Sequence, residues 1–247
     1  ATTNTGFGVD LTVTDVDDAN IESATLSFSS GYVSGEDVLA FTDANNITGS
    51  WNSETGVLTL EGTATKADYA SALENATYQN TNSDNPNTNS RVIVARVNDG
   101  TASSNGAATL LIVVNAVNDA PVIVGAGGTL SFTEDGAAAI IDNSLSLSDV
   151  DDTNIEGATI TISSGYVASE DVLAFTASSG VTGSWDSSSG VLSLTGSATK
   201  AVYEAALETV TYLNTNSDDP NTSNRTVTWT VNDGSVNSAV ASSTVTI

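Results

Sequence analysis

Carboxylates are the side chains in this sequence whose density and spacing could do chemistry. Asp149, Asp151 and Asp152 fall within one short run, and the same run recurs at Asp15, Asp17 and Asp18. With that spacing at least two carboxylates can face one point. Left alone they repel one another, and a divalent cation converts that cost into attraction. Ca²⁺ suits such a cluster, because it is a hard ion that takes six to eight oxygens at about 2.3–2.6 Å. Asp is also an ordinary turn residue that bonds its own backbone without any metal, so one such run does not decide the matter. Catalysis has less to work with. The chain has no His and no Cys, which leaves carboxylate pairs as the only acid–base groups, and these cluster in turns rather than in a pocket motif. An enzyme is not expected.

The charge balance limits the partners. Lys and Arg number 5 against 30 Asp and Glu, a formal charge of −25. Such a surface repels nucleic acid and anionic membranes and attracts cations. Without Cys there is no disulfide framework, so stability rests on core burial or on metal. No apolar run approaches the roughly 20 residues that span a bilayer. No signal peptide opens the sequence; for a secreted protein the signal would lie outside these residues.

Two acidic runs imply two copies of whatever positions them. Superposing Asp15–Asp18 on Asp149–Asp152 sets an offset of 134 that holds without a gap. Gly31-Tyr32 meets Gly165-Tyr166, Gly49-Ser50-Trp51 meets Gly183-Ser184-Trp185, and Asn98-Asp99-Gly100 meets Asn232-Asp233-Gly234. The chain reads as a body at 1–113, a junction at 114–134 and a second body at 135–247, a window on a repeat array. Pro121, in the run Asn118-Asp119-Ala120-Pro121, marks a stiff, extended crossing between the bodies. Domains are accordingly expected at 1–117 and 118–247.

Within the first body, period-two alternation predicts strands over Val9–Val13, Ile21–Ser29, Val38–Thr42, Gly56–Leu60, Ala76–Gln79, Arg91–Asn98 and Ala107–Val114. The stretch Thr65–Leu73 is the one expected helix, about two turns long. Short strands joined by polar turns, in two tandem bodies, predict an all-β protein of two antiparallel Greek-key β-sandwiches with one short helix each. Trp51 and Trp185 are expected to plug the core or its rim. Glu36-Asp37 and Glu170-Asp171 are expected as solvated turn charges, and Lys66 and Lys200 as surface lysines at the helix starts.

Several runs together carry a family likeness. The stretch 148–162 (SDVDDTNIEGATITI) resembles the cadherin segment in which an Asp-x-Asp pair precedes a strand. The stretch 230–247 is similar to the Asp-Gly turn and final strand of that domain. Residues 117–121 (VNDAP) resemble the linker between cadherin domains, and 132–136 (FTEDG) the acidic motif near the first strand. As a set these resemble bacterial cadherin-like tandem repeats of large secreted adhesins, often of the RTX type. The resemblance implies Ca²⁺ held at one end of each domain. It implies Asn118, Asp119, Glu134, Asp149, Asp151 and Asp233 as ligands at the junction, and Asp15, Asp17 and Asp99 in the first body. Glu74 is a further ligand candidate, although the family's Leu-Asp motif before it is replaced here by a helical run.

The expected role follows from the array. The chain is read as a structural extender or filament segment of a secreted or cell-surface adhesin, stiffened by calcium at its junctions and supporting adhesion or biofilm assembly. Its partners would be neighbouring repeats or neighbouring copies. The alternative is an adhesive module that binds a glycan or a cell-surface protein, which a glycan array separates from the first reading. The first body has no counterpart of Thr129–Glu134, so that strand is either lost with a longer array or donated by a neighbour. Where Thr226, Thr228, Thr244 and Thr246 stand in the second body, the first has Val92, Val94, Leu110 and Ile112. These four are expected on one outward face as a lateral contact patch, while the smaller Ala95 replaces Trp229 inside.

Overall fold

A computed structural model describes residues 5–6 and 10–247. Contacts divide the chain into two units, Ala1–Val117 and Asn118–Ile247, each built around its own apolar cluster.

The first unit contains β1 (Thr5–Gly6), β2 (Asn20–Ser30), β3 (Asp37–Ala40), β4 (Thr48–Asn52), β5 (Val57–Thr65), α1 (Lys66–Asn75), β6 (Thr77–Asn80), β7 (Arg91–Asn98) and β8 (Ala108–Ile112). One sheet has the order β4-β5-β2-β7-β8 and the other β1-β6-β3, with every pairing antiparallel. Alternation decides which side of each strand is buried: Ala24 and Leu26 of β2 and Leu58 and Leu60 of β5 meet Leu39 of β3 and Tyr78 of β6 in one cluster. This is a β-sandwich. Helix α1 closes one end, with the Thr65 hydroxyl capping Asp68 N–H and buried Tyr69 donating to Gly62 O at 2.6 Å.

In the second unit come β9 (Val122–Val124), β10 (Thr129–Ser131), β11 (Ala139–Ile140), β12 (Ser146–Ser148), β13 (Asn154–Ser164), β14 (Asp171–Ala174), β15 (Thr182–Asp186), β16 (Val191–Thr199), α2 (Lys200–Leu207), β17 (Thr211–Asn214), β18 (Arg225–Asn232) and β19 (Ala241–Thr246). The same two sheets recur as β10-β19-β18-β13-β16-β15 and β11-β17-β14, joined by the antiparallel pair β9–β12. Strand β10 is the exception to antiparallel pairing, since it runs parallel to β19 with Ser131 opposite Thr246.

Strands β9 and β10 insert apolar residues into the second core. Phe132 is buried and meets the Tyr212 ring edge-on at 5.2 Å, and Ile123, Ala126 and Leu130 pack on the same cluster. In the first unit Phe28 sits where the second has Ile162, and its ring lies 6.2 Å from Tyr78. Leu11–Val13, expected as part of a strand, belongs to no ladder among the described residues; its counterpart β12 is a strand because β9 pairs with it. Val9 lies outside the described residues.

One expected face is corrected by register. Strand β19 places Val245 opposite Arg225 and Ser243 opposite Val227. In the first unit β8 is displaced by one residue, so that Ile112 faces Arg91 and Leu110 faces Ile93. A one-residue slip turns every side chain to the other side of the sheet. Leu110 and Ile112 therefore point inward and pack on the core, while Leu111 and Val113 are 61% and 58% exposed. In the second unit Trp229 is fully buried and donates to Ser243 Oγ, which donates to Asp142. In the first unit Ala95 stands in place of Trp229, and Leu110 and Ile112 pack on the core. Val92 and Val94 stay on the opposite face from buried Ile93.

Glu36-Asp37 and Glu170-Asp171 are not solvated turn charges. Asp37 and Asp171 are each 1% exposed, and each pairs with a fully buried arginine, Arg91 or Arg225, at 3.1 and 3.0 Å. Tyr78 and Tyr212 donate to the same carboxylates at 2.7 and 2.6 Å. Burial first, then that bond to the carboxylate, pushes the Tyr78 hydroxyl up to about 12. Glu36 and Glu170 bind the outer side of each guanidinium at 3.6 Å.

Candidate cation site

The run Asp149–Asp152 folds as a turn closed by its own first side chain. Asp149 Oδ1 accepts from Asp151 N–H at 3.2 Å and from Asp152 N–H at 2.9 Å, a geometry that Asp favours because its short side chain reaches two residues on. From the start of α2, Lys200 Nζ donates to Asp149 O at 2.8 Å and also to Asp152 O. Lys66 does the same for Asp15 O and Asp18 O, at 3.0 and 2.7 Å. Both lysines thus hold the acidic turn to the helix instead of standing free at the surface. Their repetition at the common offset was the available signal for that role.

The second turn, at Asp233, is built by glycine. Gly234 has φ +101°, a conformation other residues resist, and it brings Ser235 and Val236 N–H onto Asp233 Oδ1 at 2.6 and 2.7 Å. The linker runs between the two turns. Asn118 Nδ2 donates to Asp233 Oδ2 at 2.9 Å, and Asp119 N–H donates to Asp151 Oδ2 at 3.1 Å. Asn118, Asp119, Asp149, Asp151 and Asp233 are therefore one bonded neighbourhood.

Its electrostatics are unbalanced. Asp149, Asp151 and Asp152 can each bring a carboxylate oxygen within 4.8 Å of the others. Asp149 Oδ2 and Asp151 Oδ1 are buried and accept no hydrogen bond. A buried acceptor without a donor costs about 1–3 kcal/mol, and more when charged. Desolvation, followed by the charges of Asp149, Asp151 and Asp233, raises the Asp152 carboxyl above its ordinary range, against the pull of Lys200. Burial also pushes Asp233 up, but Asn118 and the backbone N–H donors outweigh it and leave Asp233 lowered. Two orphaned carboxylate oxygens with no nearby protein donor fit a hard cation. Asp149 and Asp151 would hold it, with Asp233 and the linker pair beside them.

The first unit repeats the acidic turn. Asp15 Oδ1 accepts from Asp17 and Asp18 N–H at 3.1 and 2.9 Å, and these two bonds, Asp18 first, hold Asp15 below its ordinary range. Asp15, Asp17 and Asp99 line the mouth of one cleft, with Asp17 and Asp18 exposed. Glu74 Oε1 accepts from Leu11 N–H at 2.9 Å.

Glu134 does not join the other expected ligands. Strand β10 runs parallel to β19, so Glu134 lies beyond the Thr246 end of the sheet. Asp233 follows the opposite end of β18, eight residues past Arg225, which pairs with Val245. At about 3.3 Å per residue that separation is on the order of 25 Å. An antiparallel first strand would have returned Glu134 toward the turns; a parallel one carries it away.

No family model matches the chain. Halomucin of Haloquadratum walsbyi (strain DSM 16790 / HBSQ001) is 28% identical over 294 aligned positions, which cover 78% of this chain. The chain spans only about 3% of halomucin's length. Among solved structures, cadherin domains 3–6 of protocadherin gamma B2 align with a TM-score of 0.34 at 12% identity, over 86% of this chain and 41% of that one. Domains EC1-2 of human protocadherin-24 align at 0.30 and 12%, over 85% and 80%. The C-terminal domain of the Streptococcus agalactiae AgI/II polypeptide BspA aligns at 0.26 and 7%, over 100% and 91%.

Proposed function

We propose that the chain is a structural extender segment of a large secreted or cell-surface protein, in which calcium ties each inter-unit linker to the body that follows it. The carrying observation is the pair of buried, unpartnered oxygens, Asp149 Oδ2 and Asp151 Oδ1, at the place where Asn118 and Asp119 dock. Bound Ca²⁺ would supply positive charge beyond the single ammonium of Lys200. Around it, the chain's own groups do the positioning: Lys200 holds the turn carbonyls, Gly234 shapes the Asp233 turn, and Asn118 and Asp119 bridge the two. Because both bonds fall on residues just before Pro121, whose ring already stiffens the crossing, fixing them removes bending freedom from the linker. Two near-copies of one sandwich in tandem suit reach and stiffness better than selectivity, and they support a role in adhesion or matrix assembly with neighbouring repeats as partners.

Small-angle scattering in Ca²⁺ and in EDTA tests the stiffening. A larger maximum dimension and a stiffer particle are expected in Ca²⁺. An unchanged profile would remove calcium from the account and leave an ordinary flexible tandem.

A further inference from the structure

The outer face of the larger sheet in the second unit is a field of hydroxyls. Alternation on β13, β16 and β18 sends Ile160, Leu192 and Trp229 into the core and the residues between them outward. Register sets the outward ones in rows. Ser184, Ser193, Thr159 and Thr230 stand opposite one another across four strands, and Thr161, Thr228 and Ser242 form the next row. All seven are half-buried or exposed. Among the described residues neither row contains a charged side chain; Glu156, at the bulge of β13, and Asp186, at the end of β15, stand at the borders. The first unit differs here at two matching positions, with Glu61 in place of Thr195 and Arg96 in place of Thr230. Strand preference accounts for threonine on such a face, but not for the exchange of both charges.

We infer that this face is a lateral contact surface, and that its occupant is the same face of a second copy of the chain, related by a twofold axis. Charge selects that occupant. Two chains of formal charge −25 repel one another wherever their carboxylates meet, and the repulsion is least where an uncharged face meets its own image. Depletion of charged residues is also what sets the centre of a protein interface apart from the rest of a surface. Threonine methyls give a facing sheet apolar area to cover, and the hydroxyls between them can pair across the contact. Area sets the strength. With strands about 4.8 Å apart and about 3.3 Å per residue, six strands present on the order of 500 Å². Two copies then bury on the order of 1,000 Å², the low end for a specific contact. One such contact is weak, but along a repeat array the contacts reinforce one another through effective concentration, so that neighbouring filaments bundle. Only that last consequence rests on the extender reading.

The test uses the full chain in EDTA, so that its outcome does not depend on the calcium reading. Sedimentation equilibrium is run up to about 1 mM chain in 0.1 M and in 1 M NaCl, between which the screening length falls from about 10 Å to about 3 Å. A dimer with a dissociation constant on the order of 0.1–1 mM is expected in 1 M salt, and one at least about tenfold weaker in 0.1 M salt. Thr159→Glu/Thr195→Glu should weaken the dimer at least about tenfold. Thr25→Glu/Thr59→Glu, which adds the same charge to the matching face of the first unit, should leave it unchanged. In the unaltered chain, the methyl resonances of Thr159, Thr161, Thr228 and Thr230 should shift with concentration. A monomer at about 1 mM in 1 M salt, equal weakening by both double variants, or shifts confined to other threonines would each overturn the inference. Shifts produced in a monomeric chain by a neutral polysaccharide, dextran, would overturn it too and give the face to a glycan.

Discussion

Asp171→Asn should cost the second unit far more than its near-isosteric shape suggests. Arg225 has no exposed surface, and its Nε and Nη2 donate to Asp171 at 3.0–3.1 Å. The same carboxylate accepts from Tyr212 at 2.6 Å and from Val167 N–H at 2.7 Å. The asparagine removes the charge and turns one acceptor into a donor facing other donors. Glu170, at 3.6 Å, remains as a partial partner. Removing one member of a buried pair costs about 3–5 kcal/mol, because the other charge is left uncompensated. For a unit of about 130 residues, at roughly 2.1 cal/mol/K per residue, that lowers its melting point by about 11–18 °C. Differential scanning calorimetry reads this against an internal reference, since the first unit keeps its own Asp37–Arg91 pair. Two transitions are expected, with only one displaced. A shift under about 3 °C would refute the reasoning, since the guanidinium would then have found water.

Other substitutions test the elements around the site. Lys200→Met removes the donor shared by Asp149 O and Asp152 O, and should lower second-unit stability by about 1.5–3 kcal/mol, the range for bonds to charged groups. Chemical denaturation followed by Trp fluorescence measures it. Asp142 is pushed up by burial but pulled lower overall by Ser144, Ser243 and Gly128. Its contribution is thus fully present above the ordinary carboxylate range and is lost as pH falls through its depressed value. Asp142→Asn should accordingly flatten the acid limb of the second unit's stability–pH curve, and an unchanged acid limb would contradict that assignment.

The local features were the legible ones. The offset, the period-two alternation and the Asp-rich turns all depend on neighbours a few residues apart, and each has a direct structural counterpart here. What escaped depends on partners far along the chain. Asp171 reads as a turn charge until Arg225 closes over it 54 residues later. Strand β4 was not expected, because Gly49 and Ser50 are weak strand formers; it exists because β5 pairs with it and Trp51 packs on the core. The outward placement of Leu110 and Ile112 rests on one register for both units, and the two units pair these strands one residue apart. Glu134 is a ligand candidate only through the cadherin resemblance of 132–136, and strand direction, which carries it away from the turns, is not written in alternation. Among the groups at the candidate site, Lys66 and Lys200 were read as helix-start charges, since nothing local connects them to turns 48 residues away or more.

The central claim is that the Asp149–Asp151 neighbourhood binds calcium, and calorimetric titration of Ca²⁺ into the chelator-treated full chain tests it most directly, beside Asp149→Asn/Asp151→Asn. The account predicts saturable binding that is lost in the double variant. It also predicts a second-unit transition stabilised by about 2.7 kcal/mol when Ca²⁺ is 100 times its dissociation constant. No saturable heat, together with identical second-unit melting in Ca²⁺ and in EDTA, would contradict it.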